Sequence, residues 1–174
     1  VSDTLTLNTF LGTDTSSQLF INDFQLVRRS PVVYEIGTFE QGGTFEQVKF
    51  QLGLSGEAQK VIPTKAPEGH PLEAQVDSLW RGQSQGFVFL QAVVVPDSDP
   101  NTAVDTIRIM EADLGQKFLI GTGAFVHTTG YDFPLTLNVD YQKLFDGINW
   151  SAHDISAWKT KIIANLSTAF SVTQ

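Results

Sequence analysis

The chain contains no cysteine, and this absence removes several classes of chemistry. Without a thiol there is no disulfide, no thiolate nucleophile, and no zinc or blue-copper site of the kinds that require cysteine. Methionine occurs once, at Met110, which also excludes a methionine-rich metal trafficking site. Reactive or ligating groups must therefore come from other side chains, such as those of the three histidines.

Positive charge and long apolar runs are also scarce. The chain has 11 lysines and arginines against 19 aspartates and glutamates, for a net charge of −8. With Arg28 and Arg29 as the only adjacent basic pair, no basic stripe is available for phosphates, and we expect no nucleic-acid partner. The longest apolar candidate, 86 to 95, is far shorter than the roughly 20 residues that cross a bilayer, so no transmembrane segment is expected.

The start of the sequence gives an expectation about location. The chain begins at Val1 rather than at a methionine, as a protein does after removal of a signal peptide. We therefore expect an exported protein. The length of 174 residues and the 41% of hydrophobic residues predict one globular domain over 1–174.

Short apolar runs between turn residues predict a mainly β fold, with antiparallel strands forming a β-sandwich. A short helical segment is predicted over 140–145. Trp158, Ile162 and Leu166 recur at helical spacing within 156–170, which predicts a short C-terminal helix that covers part of a sheet. The predicted strands are 4–11, 19–27, 32–36, 45–54, 86–95, 106–110, 117–120 and 133–139.

Two glycine-containing motifs resemble parts of enzymes. The segment 82–86 reads GQSQG, the pattern of a hydrolase nucleophile elbow around Ser84, with Asp105 and His127 following in the usual order. An elbow needs a strand before the serine and a helix after it, whereas here a strong strand signal follows. The segment Gly121-Thr122-Gly123 has too few glycines to bind a dinucleotide. Both are interpreted as turns or bulges, and no catalytic residue is predicted.

The three histidines are the best candidates for a site. His70 lies in a proline-rich loop that we expect to be stiff and extended, and His127 lies between two glycines where a turn or strand edge is expected. His153 flanks the C-terminal helix and is expected to be exposed. Two imidazoles are a minimal set for copper, while zinc usually takes three or four protein ligands. The residues alone leave open that all three histidines are incidental.

The order of several segments resembles the MbnP-like family, named for the MbnP protein of methanobactin operons and related to the CorA and MopE copper-binding proteins of methane oxidisers. The most specific pieces are VDYQKLFDGIN and the small-aromatic end AFS. The matching segments are 20–29, 43–54, 69–72, 78–91, 117–124, 139–149 and 163–171.

The resemblance implies a periplasmic, secreted or cell-surface β-sandwich that holds one copper ion, in the Cu(I) state, through His70 and His127. Trp80 would be the tryptophan oxidised to kynurenine or packed beside the metal, and a di-haem peroxidase-like protein would be a partner. The implied role is copper acquisition, storage or transfer, without enzymatic activity. The alternative is a metal-free β-sandwich that acts as a binding or adhesion module of the cell surface.

Overall fold

A computed structural model describes residues 4–21, 24–28, 33–35, 40–54, 56–74, 79–95, 97–99, 101–115 and 117–174. The chain divides into two compact units, one formed by residues 1–41 and 55–87 and the other by residues 42–54 and 88–174. The strands are β1 (Thr4–Leu11), β2 (Asp14–Ile21), β3 (Gly43–Leu52), β4 (Val88–Val94), β5 (Asp105–Met110), β6 (Lys117–His127), β7 (Thr136–Val139) and β8 (Phe170–Thr173). The α-helices are α1 (Glu111–Leu114), α2 (Tyr141–Leu144) and α3 (Ile155–Ala169), and single 3₁₀ turns span Gly56–Lys60, Pro63–Lys65 and Trp150–Ala152.

The first unit is built on the antiparallel hairpin of β1 and β2. The hairpin turns through two residues, with Gly12 at φ +62°, a left-handed conformation that favours glycine. Leu7 and Thr9 of β1 are buried, and Thr9 pairs with Val61 beside the first 3₁₀ turn. The alternation along β1 therefore places one face of the hairpin against the loop segment that carries His70.

The second unit has its core between α3 and the ribbon of β4 and β5. Asp154 caps the helix by accepting a hydrogen bond from the Ala157 backbone N–H at 3.0 Å. The apolar stripe of α3 meets the inward residues of β5. The buried members of this core are Ile107, Ile109, Leu114, Leu144, Trp158, Ile162, Leu166 and Ala169.

Four antiparallel pairs supply the strands of the described residues: β1 with β2, β3 with β6, β4 with β5, and β7 with β8. The register of β3 on β6 shifts between Phe45 and Gln47, so β6 carries a bulge around Gly123. This bulge confirms the interpretation of the Gly121-Thr122-Gly123 segment. The predicted mainly β, antiparallel fold with a short C-terminal helix is confirmed, as is the burial of Trp158 on that helix.

Some predicted boundaries were wrong. The second strand runs over Asp14–Ile21 rather than 19–27, because its polar first half is held by pairing with β1 and carries little apolar signal. The predicted strand over 32–36 is described only at 33–35, where no strand forms, and its other residues lie outside the described part of the chain. The sequence also gave no sign of β8, which follows α3 directly and pairs with β7.

Membrane-crossing helices were also searched for. Among the residues that the structure describes, no helix has the length and apolar character needed to span a bilayer.

Close packing between β6 and β8 makes Gly121 a sensitive position. A Cβ added to Gly121 would lie 2.5 Å from Cβ of Val172, which is buried and cannot move aside without shifting β8. We expect Gly121→Ala to lower the free energy of unfolding by about 1–3 kcal/mol in urea denaturation. Thr122→Ala, at the exposed neighbouring position, is the control and should change it by less than about 0.5 kcal/mol. Equal stability of the two variants would contradict this packing.

Candidate metal centre

His70 lies between two consecutive turns of the first unit. Its backbone N–H donates to the Pro67 carbonyl at 3.0 Å, and its own carbonyl accepts from the Glu73 N–H at 2.9 Å. Gly69 precedes it with φ +78°, which lets the chain reverse here. The expected extended loop is therefore wrong: the prolines stiffen a series of turns, and these turns carry the imidazole into the unit.

The ring of His70 is buried and its proton position is fixed by a backbone contact. The side chain belongs to a residue only 7% exposed, and the Leu72 backbone N–H donates to its Nδ1 at 3.1 Å. Since that N–H can only donate, Nδ1 carries the lone pair and the neutral ring holds its proton on Nε2. Burial lowers the pKa of His70, with the Glu73 carboxylate acting in the opposite direction. Phe24 packs edge-on against the ring, with the ring centroids 6.1 Å apart.

His127 is the last residue of β6, in the second unit, and its environment is more suitable for a ligand. It is 3% exposed, and its Nε2 lies 2.9 Å from the Tyr131 carbonyl oxygen. A carbonyl only accepts, so Nε2 must donate and the neutral ring has its lone pair on Nδ1. A metal-bound histidine commonly directs its other ring N–H to a backbone carbonyl in this way. The Phe133 ring covers the imidazole, with the centroids 5.3 Å apart.

A tight turn positions the carbonyl that orients His127. The Tyr131 N–H donates to the Thr128 carbonyl at 3.1 Å, and Gly130 adopts φ +83° between them. This reversal directs the Tyr131 carbonyl back towards the end of β6. The expectation of a turn or strand edge at His127 is confirmed, and the turn supplies an outer hydrogen bond that the sequence did not reveal.

The two imidazoles thus differ in how they are prepared for a metal. Both hold the ring proton on Nε2, but Nδ1 of His70 already accepts from the Leu72 N–H. Coordination through Nε2 of His70 would move the proton to Nδ1, where it would face that N–H. Coordination through Nδ1 would displace the N–H instead. His70 must therefore rearrange locally to bind a metal, whereas the tautomer of His127 already presents Nδ1.

The pair predicted from the sequence draws one histidine from each compact unit. The described residues contain no group of three or more histidine, cysteine, aspartate or glutamate side chains arranged to hold a metal ion. A site made of only two histidines is a smaller set than this, so the assignment of His70 and His127 as ligands of one ion stays a prediction.

Trp80 is stacked on an aromatic ring of the hairpin. Its ring is nearly parallel to that of Phe10, with an angle of 3° and centroids 6.2 Å apart, and its backbone forms a bridge with Phe87. The tryptophan is half-buried in the same unit as His70. These contacts give Trp80 a packing role in the first unit, and its oxidation or proximity to a metal stays a prediction.

Ser84 lies at the tip of a tight turn. The Gly86 N–H donates to the Gly82 carbonyl at 2.8 Å, and the Arg81 N–H donates to the Gly86 carbonyl at 2.9 Å. Strand β4 begins at Val88 directly after this turn. Because a strand rather than a helix follows the serine, the strand-serine-helix arrangement of a nucleophile elbow is not formed here. The turn interpretation of GQSQG is confirmed.

His153 is solvent-exposed, as expected, and follows the 3₁₀ turn that precedes α3. It adopts φ +48°, and its Nδ1 lies 3.5 Å from a carboxylate oxygen of Asp105. Its exposed side chain makes it a suitable control for experiments on the two buried histidines.

No protein-family model matches the chain, and the comparisons with curated proteins and with solved structures likewise return no match. The argument about function therefore depends on the residues themselves.

The neutral state of buried His70 predicts a pH-dependent stability of the metal-free protein. The pKa of His70 is lower in the folded chain than its ordinary value of 6.5, so the unfolded chain binds more protons as the pH falls below 6.5. The stabilisation is present above pH 6.5 and is lost as the pH falls through the folded pKa. We expect urea unfolding between about pH 7 and pH 5 to show this loss, in a range where most carboxyl groups stay ionised.

His70→Asn isolates the effect, because an asparagine side-chain oxygen can accept the Leu72 N–H without titrating. The difference in unfolding free energy between wild type and this variant should change with pH over the same window. His153→Asn is the matched control and should leave the pH dependence of the wild type unchanged. A wild type and a His70→Asn variant with the same pH dependence would contradict a neutral, buried His70.

Proposed function

We propose that this protein binds one copper ion, in the Cu(I) state, through the imidazoles of His70 and His127, and serves copper acquisition, storage or transfer. The observation that carries the proposal is the environment of His127, a buried ring whose Nε2 donates to the Tyr131 carbonyl and whose Nδ1 holds the lone pair. That is the tautomer in which an imidazole binds a metal with an outer hydrogen bond in place.

The choice of metal follows from the donor set. The chain has no thiolate to offer, and the proposed ligands are two neutral imidazoles rather than carboxylates. Imidazole nitrogen suits copper, and copper stands highest for such ligands among the first-row divalent ions. Cu(I) accepts low coordination numbers, so two rings can suffice where zinc would require more protein ligands. Phe24 and Phe133 beside the rings would limit the access of water to the ion.

The resemblance to the MbnP-like family supports the same function and extends it. A periplasmic, secreted or cell-surface location, and a di-haem peroxidase-like partner that oxidises Trp80 to kynurenine, belong to the proposal on that basis. Trp80 would then have lost the indole ring that now stacks on Phe10. We propose no enzymatic activity for the protein itself.

The alternative function is a metal-free binding or adhesion module, and one surface favours it. Val93 and Val95 of the β4 segment are 60% and 55% exposed, and Val104, next to the start of β5, is 58% exposed. Since β4 and β5 pair with Val94 opposite Asp105, these three valines share one face of the ribbon. Exposed apolar residues grouped on one face are typical of a contact surface.

Competition with a chromophoric Cu(I) chelator tests the copper proposal on the full chain. Wild type should take up one equivalent, and His70→Asn and His127→Asn should each weaken binding at least tenfold, roughly the scale of loss that outer-shell changes alone produce. His153→Asn, which alters an exposed histidine, should bind as wild type does. Acidification should release the metal, because protons compete with copper for the ring nitrogens. Unchanged affinity in both buried-histidine variants would refute the proposal and leave the binding module.

A further inference from the structure

A cleft open to solvent is formed within the first unit, with His70 in its wall. Its volume is about 420 Å³, within the range of roughly 300–1,000 Å³ that is typical of small-molecule sites. Three separate stretches of chain line it: Leu5 of β1, the segment around Phe24 with Glu35, and the turns over 67–71. Because the cleft lies within one compact unit, its walls are defined by that unit alone.

The charged groups of the cleft are of one sign. Glu35 and Glu68 both line it, and both are exposed, so their carboxylates can reach a bound molecule. Among the described residues that line the cleft, none is a lysine or an arginine. His70 adds no positive charge while it stays neutral, since its Nδ1 accepts from the Leu72 N–H. A cleft lined by charges of one sign concentrates ligands of the opposite sign.

The remaining walls are apolar. Phe24 is half-buried and presents an aromatic ring, while Leu5 and Pro67 add aliphatic surface. An aromatic ring attracts a nearby organic cation through its quadrupole, in addition to the area that it buries. A simple hydrated metal ion would use the carboxylates and leave this surface without a role.

We propose that this cleft binds a small organic cation that joins a protonated amine to an apolar body. The ammonium group lies at Glu35 and Glu68, and the apolar body lies against Phe24 and Leu5. This site is independent of the proposed copper function, since it requires no metal and uses neutral His70 only as part of the wall.

The test uses the metal-free full chain with a chelator present, at neutral pH and low ionic strength. Phenethylammonium is titrated while the backbone amide signals of Gly69 and His70 are followed by NMR, and phenethyl alcohol and 3-phenylpropionate serve as neutral and anionic analogues. The cation should produce saturable shifts at these amides, the alcohol weaker ones and the anion none. Lack of saturable shifts with the cation, or equal binding of the three probes, would overturn the proposal.

Variants separate the charges from general surface effects. The double variant Glu35→Gln with Glu68→Gln should weaken binding of the cation about threefold to tenfold at low salt, as expected for two exposed ion pairs. The difference should shrink at high salt, where screening is stronger. Glu111→Gln, an exposed carboxylate of the second unit, is the matched control and should bind as wild type does. A double variant that binds the cation as tightly as the control at low salt would equally overturn the proposal.

Discussion

Burial of an imidazole determines its charge, and its hydrogen bonds determine which nitrogen carries the proton. In this protein both constraints come from backbone groups: the Leu72 N–H at His70 and the Tyr131 carbonyl at His127. The first keeps a lone pair on Nδ1 by donating to it, and the second keeps the proton on Nε2 by accepting it. The proposed copper chemistry depends on these two contacts, because a metal can bind only the nitrogen that carries a lone pair.

The two histidines consequently have unequal roles in the proposed site. His127 presents its Nδ1 with the outer hydrogen bond already formed, so binding there needs no change of tautomer. His70 has to give up the Leu72 contact or move its proton, which makes its ligation dependent on a local rearrangement of the turns around it. Such an arrangement would suit a protein that both takes up and releases copper, because breaking one bond at His70 and remaking another links the metal to the conformation of a surface loop.

Much of the fold could be predicted from the sequence, and the failures have physical causes. Helix α3 was predictable because Trp158, Ile162 and Leu166 repeat at helical spacing on a face that the core buries. Strand β2 was misplaced because its first half is polar and is stabilised by pairing with β1, a contact distant from any local signal. For the site, residue types identified the histidines and the glycines around His127 indicated a turn. The tautomers were not predictable, since both depend on backbone groups whose direction is set only by the folded turns.

X-ray absorption at the copper edge of the full chain loaded with one equivalent of Cu(I) tests the central claim most directly. The account predicts a low-coordinate copper whose outer scattering fits two imidazole rings, and loss of one ring's contribution when either His70 or His127 is replaced by asparagine. A spectrum fitted without imidazole, or one that neither replacement alters, would contradict it.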